Sequence, residues 1–86
     1  MPTLSTFYGI VIRLYWDDHE PPHFHAIYGE HAAAFAIDDC RLLSGRFPAR
    51  ASRLVREWWE LHHAEITQAW DSAYDHRIPD NIEPLP

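Results

Sequence analysis

Seven histidines stand in a chain of 86 residues, and His19, His23, His25 and His31 are crowded into one short stretch. On an extended strand His23 and His25 point to the same side, with Cα atoms about 6.5 Å apart. Two imidazoles at that spacing can converge on one ion, and His-x-His on a strand is a known zinc geometry. Asp17, Asp18, His19 or His31 would supply a third ligand. The same side chains could instead work as a general acid/base pair. The plainer alternative is a turn held by hydrogen-bonded histidines with half-buried rings, a pattern that arises often by chance. His62 is a separate signal, because it falls near the centre of an apolar helical stripe where leucine is expected. Glu65, three residues on, lies close to the same face. A buried histidine must find hydrogen-bond partners: Glu65 or a backbone carbonyl, or the His23/His25 strand if its histidine face turns inward. The candidate cluster is thus His19, His23, His25 and His62. Its metal-binding subset is His23, His25 and His19, for a divalent ion such as zinc. No other cofactor is indicated, and no catalytic residue is singled out.

Arginine is the second signal. All seven basic residues are arginines, against thirteen acids, for a net charge of −6. Arg41, Arg46, Arg50, Arg53 and Arg56 occupy a stretch without one acid. Arg50 and Arg53 share the solvent side of the predicted helix. Positive charge near a helix N-terminus opposes the macrodipole, so helix stability does not account for it. Guanidinium forks suit phosphate or carboxylate. The bland alternative is a solvated face with Arg53–Glu57 and Arg56–Glu60 pairs. An acidic chain disfavours nucleic-acid binding by its whole surface, leaving only the arginine patch for that role. Cys40, the sole cysteine, cannot form an internal disulfide and reads as structural. Glycine-rich phosphate loops, Gly-x-Ser-x-Gly elbows and His-Glu-x-x-His motifs do not occur in the sequence.

These groups need elements to hold them. Thr6 to Trp16 is rich in β-branched and aromatic residues and reads as one long strand. Tyr8, Ile10, Ile12, Leu14 and Trp16 would form its core face, with Phe7, Gly9, Val11, Arg13 and Tyr15 opposite. Asp17 to Pro22 is a polar turn. His23 to Tyr28 reads as a second strand, Ala32 to Ile37 as a third, and Arg41 to Ser44 as a short fourth. Phe24, Ala26 and Tyr28 make the more natural core face, which predicts an exposed histidine cluster. From Pro48 the period changes to that of a helix of roughly 24 residues. Ala51, Leu54, Val55, Trp58, His62, Ile66, Ala69 and Ala73 share its apolar sector. The tail 77–86 reads as extended, with Ile82 and Leu85 as anchors.

The expected fold is α+β: a three- to four-stranded antiparallel meander with one long C-terminal helix packed on one face. Residues 1–86 are read as a single domain: sheet about 5–44, helix about 48–74, extended tail 77–86. A chain this short holds one core. With one helix, the second sheet face must stay open, dimerise or bind something. No run of 18 apolar residues and no basic leader is visible, which makes the cytoplasm the default expectation.

The chain resembles the bacterial family of small proteins known as domain of unknown function 4160. The resemblance rests on Ser5 to Ile10, on Asp18-His19-Glu20-Pro21-Pro22-His23-Phe24-His25-Ala26 with Tyr28-Gly29-Glu30, and on Gly45, Pro48, Arg50-Ala51, Trp58, Leu61-His62, Glu65 and Trp70. Ile82 to Leu85 matches the usual ending, while Ala32-Ala33-Ala34 departs from the polar residue expected there. The resemblance implies a bacterial source and a gene often found beside a second small protein, as in two-gene toxin–antitoxin-like modules. Two functions follow as expectations. One is an interaction module that meets a small protein partner, or a second copy as a homodimer, through its open face and Arg50/Arg53. The other is a divalent-metal-binding or hydrolytic protein using the histidines.

Overall fold

The computed structural model describes residues 3–15 and 19–86. Trp16, Asp17 and Asp18 lie outside the described residues, and with them one expected core residue and two candidate metal ligands. Among the described residues the chain forms β1 (Thr3–Phe7), β2 (Ile10–Arg13), β3 (His23–Tyr28), β4 (His31–Ala36), β5 (Leu42–Gly45) and α1 (Ala49–Tyr74). The strands run antiparallel in sequence order as one five-stranded sheet. The α+β class and the meander with a C-terminal helix are as expected, with more strands than the expected three to four.

The extra strand comes from a turn inside the expected long first strand. Tyr8 and Gly9 have φ of 49° and 81°. Positive φ at both central residues is the backbone of a type I′ hairpin, whose twist matches that of the flanking strands. Phe7 pairs with Ile10 across it, so the two share a face. The two-residue turn resets the alternation. Phe7 is therefore buried, Tyr8 is expelled to 60 % exposure, and Ile10 and Ile12 keep the inward face. The expectations of an inward Tyr8 and an outward Phe7 are both corrected by this one turn.

The β3–β4 connection is Gly29-Glu30, with glycine at the first central position as a II′ turn prefers and Tyr28 pairing with His31. At the other end of β4, Asp38 and Asp39 take Arg41 in ion pairs of 3.3 and 3.0 Å. The register between β4 and β5 shifts between Ala34 and Phe35. β5 ends at Gly45, φ 84°, where a Cβ would lie 2.2 Å from the Ala32 carbonyl oxygen. Only glycine fits there.

α1 is 26 residues long, with Pro48 at its N-cap and no side-chain cap. Its apolar sector holds as read: Ala51, Val55, Trp58, Ile66, Ala69 and Ala73 are buried, and Leu54 is half-buried. They meet Phe7, Ile10, Ile12, Phe24 and Phe35 in one contiguous core. Trp58 is the largest fully buried side chain, with Phe7 stacked 5.7 Å away and Phe24 edge-on at 5.9 Å. Consecutive tryptophans then tie the helix to both flanks. Trp58 Nε1 donates to the Glu83 carbonyl at 3.0 Å, and Trp59 Nε1 donates to the Ile37 carbonyl at 2.7 Å. The tail is extended and docks through buried Ile82 and half-buried Leu85, as expected. The Ile82 N–H donates to the Leu4 carbonyl at 2.8 Å.

Candidate functional site

The histidine signal resolves into three places. His23 opens β3 and pairs with Ala36; His25 pairs with Arg13 and Ala34. Strand geometry sets both on one side, and Phe24 and Ala26, fully buried, face the helix. Apart from Tyr28, which at the end of β3 is exposed rather than in the core because it lies at the hairpin tip, the inward face is thus the one expected. The exposed cluster is not: His23 is only 5 % exposed and His25 is half-buried. His23 is covered because Trp70 of α1 reaches it, with ring centroids 5.5 Å apart. His25 lies under Tyr15, edge-on at 4.2 Å. His19, exposed, completes the group at 5.5 Å from His23, which is 5.0 Å from His25.

His23 Nδ1 bonds the Pro21 carbonyl oxygen at 2.7 Å. A carbonyl only accepts, so Nδ1 carries the hydrogen, and in the neutral ring the lone pair is on Nε2. The turn Glu20-Pro21-Pro22, with a cis peptide before Pro21, supplies that carbonyl. His31 is not part of this group. It pairs with Tyr28 at the far end of β3, five residues from His23 and so roughly 16 Å along the strand.

His62 is elsewhere again. Its Nδ1 meets Glu65 Oε1 at 2.6 Å, and its ring packs 5.8 Å from Trp58. The Glu65 partnership is one of those expected; a meeting with His23 or His25 is not what forms. Its backbone leaves helical geometry, at φ −122° and ψ 25°, within the long helix. Among the described residues no group of three or more His, Cys, Asp or Glu side chains is placed to hold a metal ion.

The arginine run divides into used and unused members. Arg41 is taken by Asp38 and Asp39. Its backbone N–H, and then its guanidinium, hold the Asp39 carboxyl below its usual value. Arg56 reaches the Asp39 carbonyl at 3.5 Å and lies 5.9 Å above the Trp59 ring. Arg46, Arg50 and Arg53 are exposed and make no hydrogen bond or ion pair among the described residues. The Arg53–Glu57 and Arg56–Glu60 pairs do not form there either. The first turn of α1 holds no acid. Cys40, buried beside this region at φ 61°, has its thiol pushed up to about 11 by burial. It is inert at neutral pH, consistent with a structural role.

Sequence reasoning missed a groove of about 640 Å³ beside Arg50, lined by Tyr8, Tyr28, Pro48, Leu54 and Leu85. The signal was present as Tyr8-Gly9 and Tyr28-Gly29, two aromatic–glycine pairs. It was hidden while Tyr8 was read as part of a continuous strand.

An antiparallel meander under one long helix, with a histidine-lined strand and an arginine-rich helix start, defines a small α+β protein. Its particular family is shown by a match of residues 9–71 to the model described as Domain of unknown function (DUF4160); the chain belongs to that family. The matched stretch carries β2 to β5 and most of α1, hence both the histidines and the arginines. No curated protein and no solved structure matches the chain.

Proposed function

We propose that this protein is an interaction module, a component of a two-gene, toxin–antitoxin-like system that binds a small protein partner. The observation that carries the reading is the trio Arg46, Arg50 and Arg53, exposed and without a hydrogen-bond or ion-pair partner among the described residues, on an otherwise acidic chain. Arginine heads placed against a helix dipole cost stability, and internal ion pairs do not account for them. An acidic surface on a partner does. The test is titration of the neighbouring gene's protein against the wild type and an R50E/R53E double variant. Binding should weaken at least about tenfold, with the thermal melt not lowered, because both positions are exposed and acids near a helix start suit its dipole. Equal affinities would return the arginines to solvated surface.

A second reading rests on His23. A histidine whose Nδ1–H is fixed by a backbone carbonyl presents Nε2 in a set direction, the arrangement usual for metal-binding imidazoles. Among the described residues His19, His23 and His25 do not stand in a ligating arrangement, so holding a divalent ion such as zinc would require His19 and His25 to turn toward that Nε2. Calorimetric zinc titration of the wild type and a His23→Ala/His25→Ala variant tests it. Binding heat in the wild type alone supports this reading; negligible heat in both removes it.

A further inference from the structure

We infer that the groove between Tyr8, Tyr28 and the start of α1 receives an extended acidic peptide segment of a partner protein, with an apolar anchor between the tyrosines and Leu54 and carboxylates on Arg50 and Arg53. The inference rests on the interaction-module reading and adds to it the place, the chemistry and the mode of binding.

The groove walls come from three separate turns of chain, each held by its own constraint. The I′ turn fixes Tyr8, and the Tyr8 hydroxyl donates to the Pro86 carbonyl at 2.6 Å. A Cβ on Gly9 would come within 3.3 Å of the Tyr28 ring, so the two hairpin tips lie against one another. Tyr28 also packs 6.3 Å from Phe47, just ahead of the helix. The tyrosines are nonetheless 60 % and 39 % exposed. Two exposed aromatic rings, one hydrogen-bonded and one packed on Phe47, beside a guanidinium without a partner among the described residues form a preorganised apolar-and-cationic surface, the composition that dominates binding hot spots.

The chain already shows how this region holds an extended segment. The tail from Asp80 to Pro86 carries two acids, Asp80 and Glu83, two apolar anchors, Ile82 and Leu85, and two prolines. Its backbone is held at three points: Ile82 N–H donates to Leu4, and the carbonyls of Glu83 and Pro86 accept from Trp58 and Tyr8. Its end forms one wall of the groove through Leu85 and Pro86. A second segment of like chemistry laid alongside would find Tyr8, Tyr28 and Leu54 for its anchor. It would also find what the tail does not use, Arg50 and its neighbour Arg53 one turn on.

Charge selects a peptide over a phosphate backbone. Glu57 also lines the groove, one helical turn beyond Arg53. A carboxylate there disfavours an anion at that end of the groove but accepts hydrogen bonds from peptide N–H groups, which a phosphate backbone lacks. The apolar walls want an aliphatic side chain, which nucleic acid lacks.

The experiment follows amide and tyrosine-ring NMR shifts of the full chain. The probe is the acetylated peptide Glu-Asp-Ile-Glu-Pro-Leu-Asp-Glu. Comparison arms replace its acids by amides, replace its Ile and Leu by Ser, or use an oligothymidine of equal length. The expected result is shifts centred on Tyr8, Gly9, Tyr28, Arg50 and Leu54. Affinity should fall at least about tenfold on amidation of the acids, on serine replacement, and in R50E/R53E with retained shift dispersion. Equal binding of the amidated peptide, tighter binding of the oligothymidine at these residues, or shifts centred elsewhere overturns the inference. Hydrogen exchange on the complex with the neighbouring gene's protein separates the two levels. Protection over the groove supports both. A complex that protects another surface overturns the groove and leaves the interaction reading standing. Absence of any complex and of any peptide shift overturns both.

Discussion

Ser5 is a polar residue on the helix-covered face of β1, 6 % exposed, and its Oγ has no hydrogen-bond partner among the described residues. An unsatisfied buried hydroxyl carries its desolvation cost without compensation. Ser5→Ala is therefore expected to stabilise the fold by about 1 kcal/mol, read as a rise in the urea midpoint at unchanged slope. A fall in the midpoint would mean that Oγ has a partner in solution. Asp39 differs in kind, since it is exposed and its effect is tied to pH. Its folded carboxyl titrates below its ordinary value because it accepts from the Arg41 N–H and guanidinium. A depressed folded pKa contributes stability above the unfolded value, and that contribution is lost as pH falls through the folded one. Asp39→Asn should thus melt slightly below the wild type at neutral pH and coincide with it once the solution is more acidic than the aspartate range. Parallel melts across pH check this, and a gap that persists in acid would assign the loss to the turn backbone instead. The histidines show what residue types alone reveal. His-x-His placed His23 and His25 on one side of a strand, and period offered Glu65 as one partner for His62. The burial of His23 was not legible, because it depends on Trp70, which is far away in sequence.

At the level of elements, α1 was the most legible part, since seven apolar positions in one sector outweigh the one exception, His62. Trp58 anchors it against Phe7 and Phe24, so Trp58→Ala should cost roughly 3–5 kcal/mol. Trp58→Phe, which keeps most of the packing but loses the Nε1 bond to Glu83, should cost less and should loosen the tail selectively. Hydrogen exchange at the Ile82 amide reads that loosening. Equal protection in the two proteins would show that Ile82 packing alone holds the tail. β1 and β2 were the least legible elements, for a physical reason. A I′ turn usually announces itself with Asn-Gly or Asp-Gly, and here the first turn residue is tyrosine, a good strand former. The unbroken β propensity from Thr6 to Trp16 conceals the reversal. Tyr8 accepts φ 49° at a cost that asparagine would largely avoid. Tyr8→Phe should lose roughly 1 kcal/mol with the hydroxyl bond to Pro86. Tyr8→Asn loses the same bond but relaxes the turn, so it should be the more stable of the two although it removes an aromatic ring. The reverse ranking would show that the exposed ring contributes more to packing than its exposure implies.

For the whole molecule the deciding comparison is between its size and the reach of its charges. The principal extents are 33 × 26 × 22 Å, the net charge is −6, and the basic residues are concentrated between positions 41 and 56. The screening length is about 30 Å at 0.01 M salt, about 10 Å at 0.1 M and about 3 Å at 1 M. In the most dilute case an approaching polyanion feels the entire molecule and is repelled by its net charge. Near the middle value it feels only the surface within a helical turn or two of its contact, which at Arg46, Arg50 and Arg53 is positive. At the highest salt it feels neither. Binding of poly-L-glutamate should therefore pass through a maximum near 0.1 M, with little binding at either extreme. A uniformly acidic surface would show no binding throughout. A patch strong enough to ignore the rest of the molecule would show a monotonic decline from low salt, as ordinary ion-pairing does. Fluorescence anisotropy of labelled polyglutamate, scanned in salt against the wild type and R50E/R53E, distinguishes these cases. The maximum should vanish in the double variant, whose added negative charge leaves nothing locally attractive at any screening length. A maximum that survives the double reversal would place the attractive surface away from the start of α1.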